Sequence, residues 1–168
     1  MVMELKTRQA KNDELDIALK LLYDAALWLK NRNIDYWQNW LNPAKEHIAW
    51  IADGFKNNEF HFACDEKNNM VGMYRLQYED ELFWGKKTDT AVYIHSFTTQ
   101  RNMAGKGIGK TILSNIETES KSSGIAFLRL DCSPEVTALC KYYESYGFVQ
   151  VGEVVVYGET LRLYEKAI

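Results

Sequence analysis

Residues 104–111 read AGKGIGKT, a glycine-rich loop running straight into an amphipathic helix. Gly105, Gly107 and Gly109 let a backbone come close to something bulky and take dihedrals closed to other residues. The helix behind them turns its unpaired N–H groups and positive dipole end toward the same spot. That is the physics of an anion site, and above all of a phosphate site. Which phosphate compound it suits is decided by the elements on either side.

Downstream, the helix carries Ile108, Ile112, Leu113 and Ile116 inward. Residues 125–131 predict a strand, and 135–146 a helix stopped by Gly147. Two more strands, 148–156 and 161–165, close the chain around a turn at Gly158. Upstream of the loop stands a strand over 91–99, preceded by an acidic, aromatic loop (Glu79, Asp80, Glu81, Phe83, Trp84). Before it, 60–64 and 70–78 alternate as a hairpin turned at Lys67, Asn68 and Asn69. Leu15, Ala18, Leu19, Leu22, Ala25, Ala26 and Leu29 keep helical spacing behind Asn12 as a cap. Asn42 and Pro43 are expected to open a second helix with the stripe Ala44, Ile48, Ile51, Ala52 and Phe55. Met3, Leu5 and Thr7 alternate as a first strand. The order β-α-α-β-β-β-α-β-α-β-β predicts an α/β fold on a mixed sheet, antiparallel in its hairpins and parallel where a helix crosses over.

At 168 residues, with two prolines and no Gly/Ser-rich linker, the chain is expected to form a single domain over 1–168. A net charge of −3 without a basic stripe argues against nucleic acid. No segment has the length of a membrane span, and the start lacks the pattern of a signal peptide. Cys64, Cys132 and Cys140 show neither metal nor disulfide-scaffold spacing, and His47, His61 and His95 are scattered. No metal is expected, and the setting is expected to be reduced and cytoplasmic.

Two phosphate readings compete for the loop. In a nucleotide-triphosphate P-loop, Gly109-Lys110-Thr111 would match the end of the motif, with Asp131 as a magnesium carboxylate. The leading glycine would then fall on Ala104, and the preceding strands look antiparallel, whereas a P-loop follows a buried parallel strand. The second reading rests on Ala104-Gly105-Lys106-Gly107-Ile108-Gly109, on the segment LRLDC…LCKYYESYGF (128–148) and on the element order. Together these resemble the GNAT N-acetyltransferases over nearly the whole chain, and WLKNRNIDYW (28–37) resembles the first helix of one bacterial branch. The chain departs from that family where Ala104 replaces the usual Gln/Arg and Val136 the usual Asn.

The resemblance implies acetyl-CoA as co-substrate and attack by an acceptor amine in a ternary complex. It places the pyrophosphate on the backbone of Ala104, Gly105, Lys106, Gly107, Ile108, Gly109 and Lys110, the lysines adding charge. Phe97, Thr98 and Thr99 take the place of the strand end that pairs with pantetheine and polarises the thioester carbonyl. Tyr143, four residues before Gly147, takes the position of the acid that protonates the departing thiolate. A phenol with a pKa near ~10 is suited to that task. Tyr142 and Tyr146 share another helix face, and all three read equally as an aromatic core.

For the base, His95 has a pKa range suited to neutrality, although a lone His in an apolar strand is more often a hydrogen-bonded core residue. Asp80 or Glu81 could instead orient a cationic amine or relay its proton. Trp37, Trp40, Phe83 and Trp84 with the acidic loop suggest a small, apolar amine acceptor rather than a polyanion, and core packing explains most of those aromatics as well. A P-loop kinase and a non-catalytic coenzyme A sensor are the rivals. The oligomeric state is left open by the sequence, with a homodimer paired through the strand-rich C-terminus as one expectation.

Overall fold

The computed structural model describes residues 3–168. Its elements are β1 (Lys6–Gln9), α1 (Leu15–Lys30), α2 (Lys45–Lys56), β2 (Phe60–Cys64), β3 (Met70–Gln77), α3 (Glu81–Trp84), β4 (Ala91–Thr99), α4 (Ile108–Ser122), β5 (Phe127–Cys132), α5 (Thr137–Ser145), β6 (Val149–Val156) and β7 (Glu159–Ala167). The strands form one seven-stranded sheet in the order β1-β2-β3-β4-β5-β7-β6. β2 pairs antiparallel with β1 and β3, β4 pairs parallel with β5, and β7 pairs antiparallel with β5 and β6. The mixed α/β sheet expected from the sequence is present. One element is added: the acidic loop contains the single turn α3, whose start is capped by Asp80 Oδ1 accepting from Phe83 N–H at 3.3 Å.

Two helix starts differ from expectation. Asn12 lies inside a short 3-10 turn, and Glu14 closes it instead, accepting from Lys11 N–H at 2.8 Å while its carboxylate is forked by Arg8 at 2.7 and 2.8 Å. That ion pair holds the Glu14 carboxyl down at about 2. Asn42 closes another 3-10 turn, and α2 begins only at Lys45, with Ala44 as a cap that makes no side-chain bond. Pro43 disfavours helical backbone at Asn42, which the structure holds well outside the helical region at φ −149°.

The chain divides into two compact units. The first comprises the residues up to 75 together with 96–113; the second comprises 76–95 and 114–168. In the first, Ala18, Leu21 and Leu22 of α1 and Ile51 and Phe55 of α2 bury against Phe60, Phe62 and Met73. Each large apolar side chain so buried contributes ~1.5–3 kcal/mol. The buried Arg75 lies over Trp50 at 4.0 Å and donates to Glu59 Oε2 at 2.7 Å. In the second unit, Arg129 plays the same part for β4 and β5. It is 2% exposed, and donates to Glu165 at 2.8 Å, to both oxygens of Asp89 at 2.7 and 2.8 Å and to the Tyr93 hydroxyl at 2.9 Å. A buried guanidinium is tolerable only when its donors are met in this way.

Candidate active site

In the first unit, β4 leads through a 3-10 turn (Arg101–Met103) into the glycine loop and α4. Gly105 and Gly107 have φ of +77° and +75°, and a Cβ at either would meet nothing within 4 Å. Glycine is therefore demanded by backbone conformation and not by crowding. Thr111 N–H donates to Gly107 O at 3.0 Å, which starts the α4 ladder. Among the described residues, the N–H groups of Gly105, Gly107, Ile108 and Gly109 find no backbone acceptor. These are the orphan donors of a helix start, and Gly105 and Gly107 among them are exposed.

The loop is pinned from behind. Ile108 and Ile112 are buried, and a Cβ at Gly72 of β3 would come within 2.8 Å of Ile112 Cδ1, so α4 seats closely on the strand only because residue 72 is glycine. Lys106, whose ammonium lies 3.5 Å from Met103 Sδ, and Lys110 are exposed. Ala104 is exposed too, so its methyl group neither blocks the loop nor supplies a contact.

At the end of β4, Ser96 has φ +49°, a left-handed conformation costing a non-glycine residue ~1–2 kcal/mol. It interrupts the alternation of the strand just before Phe97, Thr98 and Thr99. Thr98 is buried, and Arg101 donates to the Thr99 carbonyl at 2.7 and 2.9 Å and to its hydroxyl at 2.9 Å. All the residues expected to meet the cofactor thus lie in one unit and follow one another along 97–110.

The expected catalytic side chains lie in the second unit. β4 and β5 pair through Ala91↔Phe127, Val92↔Leu128 and Tyr93↔Arg129. Two residues further along each strand, His95 and Asp131 face one another, Nδ1 to Oδ2 at 3.8 Å. On its other side the imidazole reaches Asp80, with Nε2 donating to Oδ2 at 2.8 Å. The three side chains retain 9%, 12% and 5% exposure for His95, Asp131 and Asp80. Asp80 is therefore not the solvated turn residue its acidic surroundings suggest. It is fixed by the α3 start and in turn fixes the imidazole, which leaves Nδ1 as the basic nitrogen of the neutral ring.

Asp131 escaped the base assignment, which weighed only His95, Asp80 and Glu81. Its Oδ2 is buried without a hydrogen bond, and that burial pushes its carboxyl up to about 6. The pair Asp131 and His95 lies four residues past the start of the ladder on each strand, a relation visible only once the register of two distant segments is known. Glu81 stands exposed on α3. Phe83 packs 5.2 Å from the His95 ring, and Trp84 joins Ala91 and Tyr93 in a core cluster. Trp37 and Trp40 pack against the core of the first unit.

On α5, Tyr142 and Tyr146 share a face as expected, with ring centroids 5.1 Å apart. Tyr143 turns inward, 6% exposed, its ring 5.9 Å from Phe148 and 6.3 Å from Tyr164. The aromatic ring belongs to the core, so any chemistry at this position falls to the hydroxyl. The Cys132 and Cys140 sulfurs lie 3.7 Å apart, both buried, and burial pushes the Cys132 thiol well up. Among the described residues no cluster of histidine, cysteine or acidic groups could hold a metal, and no helix is long and apolar enough to cross a membrane.

The model of the acetyltransferase (GNAT) family matches residues 22–148. An N-acetyltransferase of Bacillus subtilis, the uncharacterised YesJ, is 29% identical over 136 residues, covering 79% of this chain and 74% of its own. An aminoglycoside N(6')-acetyltransferase of Stenotrophomonas maltophilia is 21% identical over 134 residues, with 80% and 86% covered. A crystal structure of a GNAT-family acetyltransferase from Listeria monocytogenes superposes with a TM-score of 0.80 at 23% identity, over 99% of this chain and 96% of that one.

Proposed function

The chain belongs to the acetyltransferase (GNAT) family and is an acetyl-CoA-dependent acyltransferase, and we propose that it transfers the acetyl group directly to the primary amine of a small cationic acceptor. The nucleotide-triphosphate reading of the loop falls with that membership. Orphan N–H donors at Gly105, Gly107, Ile108 and Gly109 support a pyrophosphate site held chiefly by backbone. The N–H groups beyond Ser96 are the donors for the oxyanion.

The observation that carries the chemical reading is the His95–Asp80 hydrogen bond. Asp80 fixes the tautomer in which Nδ1 accepts a proton, and Asp131 faces that nitrogen. The amine nitrogen attacks the thioester carbonyl carbon while its proton passes to His95, directly or through a water. The resulting tetrahedral oxyanion collapses, the C–S bond breaks, and the thiolate takes the proton of the Tyr143 hydroxyl. Two carboxylates beside the imidazole favour a cationic acceptor, as does the aminoglycoside specificity in the name of the Stenotrophomonas relative.

A pH–rate profile tests the base. For the wild type, kcat/KM should fall on the acid side as the general base is protonated. His95→Ala should lose that limb and about 100-fold in rate, whereas Asp80→Asn should keep the limb at reduced rate. An acidic limb unchanged in His95→Ala would assign the base elsewhere.

A further inference from the structure

A second feature of the first unit adjoins the Thr99 end of β4. A cavity of about 580 Å³ opens beside α1, walled on its apolar side by Ile17, Leu21, Leu27 and Met70 and lined elsewhere by Trp28 and Arg101. The Trp28 ring carries two guanidinium groups, Arg32 at 3.7 Å and Arg101 at 5.4 Å from its centroid. Two like charges on one indole need an explanation, since each cation–π contact is worth ~1 kcal/mol and their mutual repulsion opposes it.

Neither arginine has a carboxylate partner among the described residues. The acidic residue lining the cavity, Asp24, is taken by Lys20 at 2.6 Å. Arg32 makes one long bond, Nη1 to the Trp28 carbonyl at 3.4 Å. Arg101 spends Nε and Nη2 on Thr99, and its Nη1 has no acceptor among the described residues. Burial, and then the Arg32 charge, push the Arg101 pKa down, which is the mark of a cation lacking its counter-ion. Arg75 and Arg129, the fully buried arginines among the described residues, both have carboxylates.

We propose that this cavity binds a small organic carboxylate, its head group bridging Arg101 and Arg32 at Trp28 and its apolar body lying along Ile17, Leu21, Leu27 and Met70. The donor count selects the class. One unused Arg101 amino group and the exposed fork of Arg32 suit the two oxygens of a monoanion. The apolar walls demand a hydrocarbon body, because a bare inorganic anion would leave them wetted. Occupancy of the cavity is readable without turnover.

The test uses the intact 15N-labelled chain without acetyl-CoA, following the indole N–H of Trp28, identified by its loss in Trp28→Phe. Hexanoate is the probe, and hexanamide its neutral counterpart of the same shape. Hexanoate should shift the Trp28 signal saturably at millimolar concentration, with hexanamide at least about tenfold weaker. The exposed Arg32 is the residue to change, because Arg101 also holds Thr99. Arg32→Glu should weaken hexanoate about tenfold or more without lowering the melting temperature, since it replaces a repulsion by an attraction to Arg101. Arg32→Gln should fall between. Equal binding of hexanoate and hexanamide, no saturable shift of Trp28, or hexanoate affinity unchanged in both Arg32 variants would each overturn the proposal.

Discussion

The glycine loop and the His95 centre are built from opposite materials. The loop is a run of consecutive residues whose useful groups are main-chain N–H donors, exposed and set by two left-handed glycines. The centre is three side chains from α3's cap, β4 and β5, nearly closed to solvent and set by hydrogen bonds and sheet register. One site survives changes of side chain and fails when its dihedrals change. The other has no backbone component to fall back on.

The largest effect should come from the side-chain chemistry. Tyr143→Phe keeps the ring that packs on Phe148 and Tyr164 and removes only the hydroxyl. Turnover should fall about 100-fold with coenzyme A affinity within about twofold, read by steady-state rates and calorimetry. Unchanged turnover would return Tyr143 to the core and nothing more.

Next in size is a stability effect at Asp131. Its folded-state pKa of about 6 lies above the ordinary carboxylate value, so the folded chain binds this proton more tightly than the unfolded chain. Folding is therefore favoured at low pH, and that advantage is lost as pH rises from about 4 through 6. Asp131→Asn, which removes the charge, should stabilise the fold at pH 7.5 by ~2 kcal/mol and by almost nothing at pH 4. Denaturant melts at the two pH values check it, and equal effects at both would show that charge burial is not the cause.

The loop should respond only to backbone change. Gly107→Val forces a β-branched residue to φ +75°, and acetyl-CoA affinity should weaken about tenfold with little loss of fold stability. Ala104→Gln, which restores the family's polar side chain, should alter that affinity by no more than about threefold. A large gain there would mean that side chains carry more of the cofactor than the backbone does, and the contrast between the two sites would collapse.

The same contrast explains what the sequence disclosed. AGKGIGKT could be read because its function resides in consecutive positions and in glycine itself. The element order could be read because each helix shows its apolar face at 3.6-residue spacing and each hairpin its turn. Helix starts were misplaced where a local bond not encoded in the capping residue took over, as Glu14 did from Asn12. His95 and Asp80 could be named singly, but fifteen residues separate them and nothing in the chain announces their hydrogen bond. Asp131 was legible only as the magnesium carboxylate of the P-loop alternative, since its meeting with His95 depends on a parallel register between two distant segments. The pairing of Arg32 and Arg101 on Trp28 was hidden for the same reason.

The central claim is acetyl transfer from acetyl-CoA to a small cationic amine. The most direct measurement is free thiol release from acetyl-CoA across a panel of small primary amines, each run beside its alcohol analogue, with coenzyme A binding confirmed on the same preparation. Amine-dependent release well above background hydrolysis, absent with the alcohols, is the predicted result. A protein that binds coenzyme A yet releases no thiol with any amine would contradict the account and leave a binding module in its place.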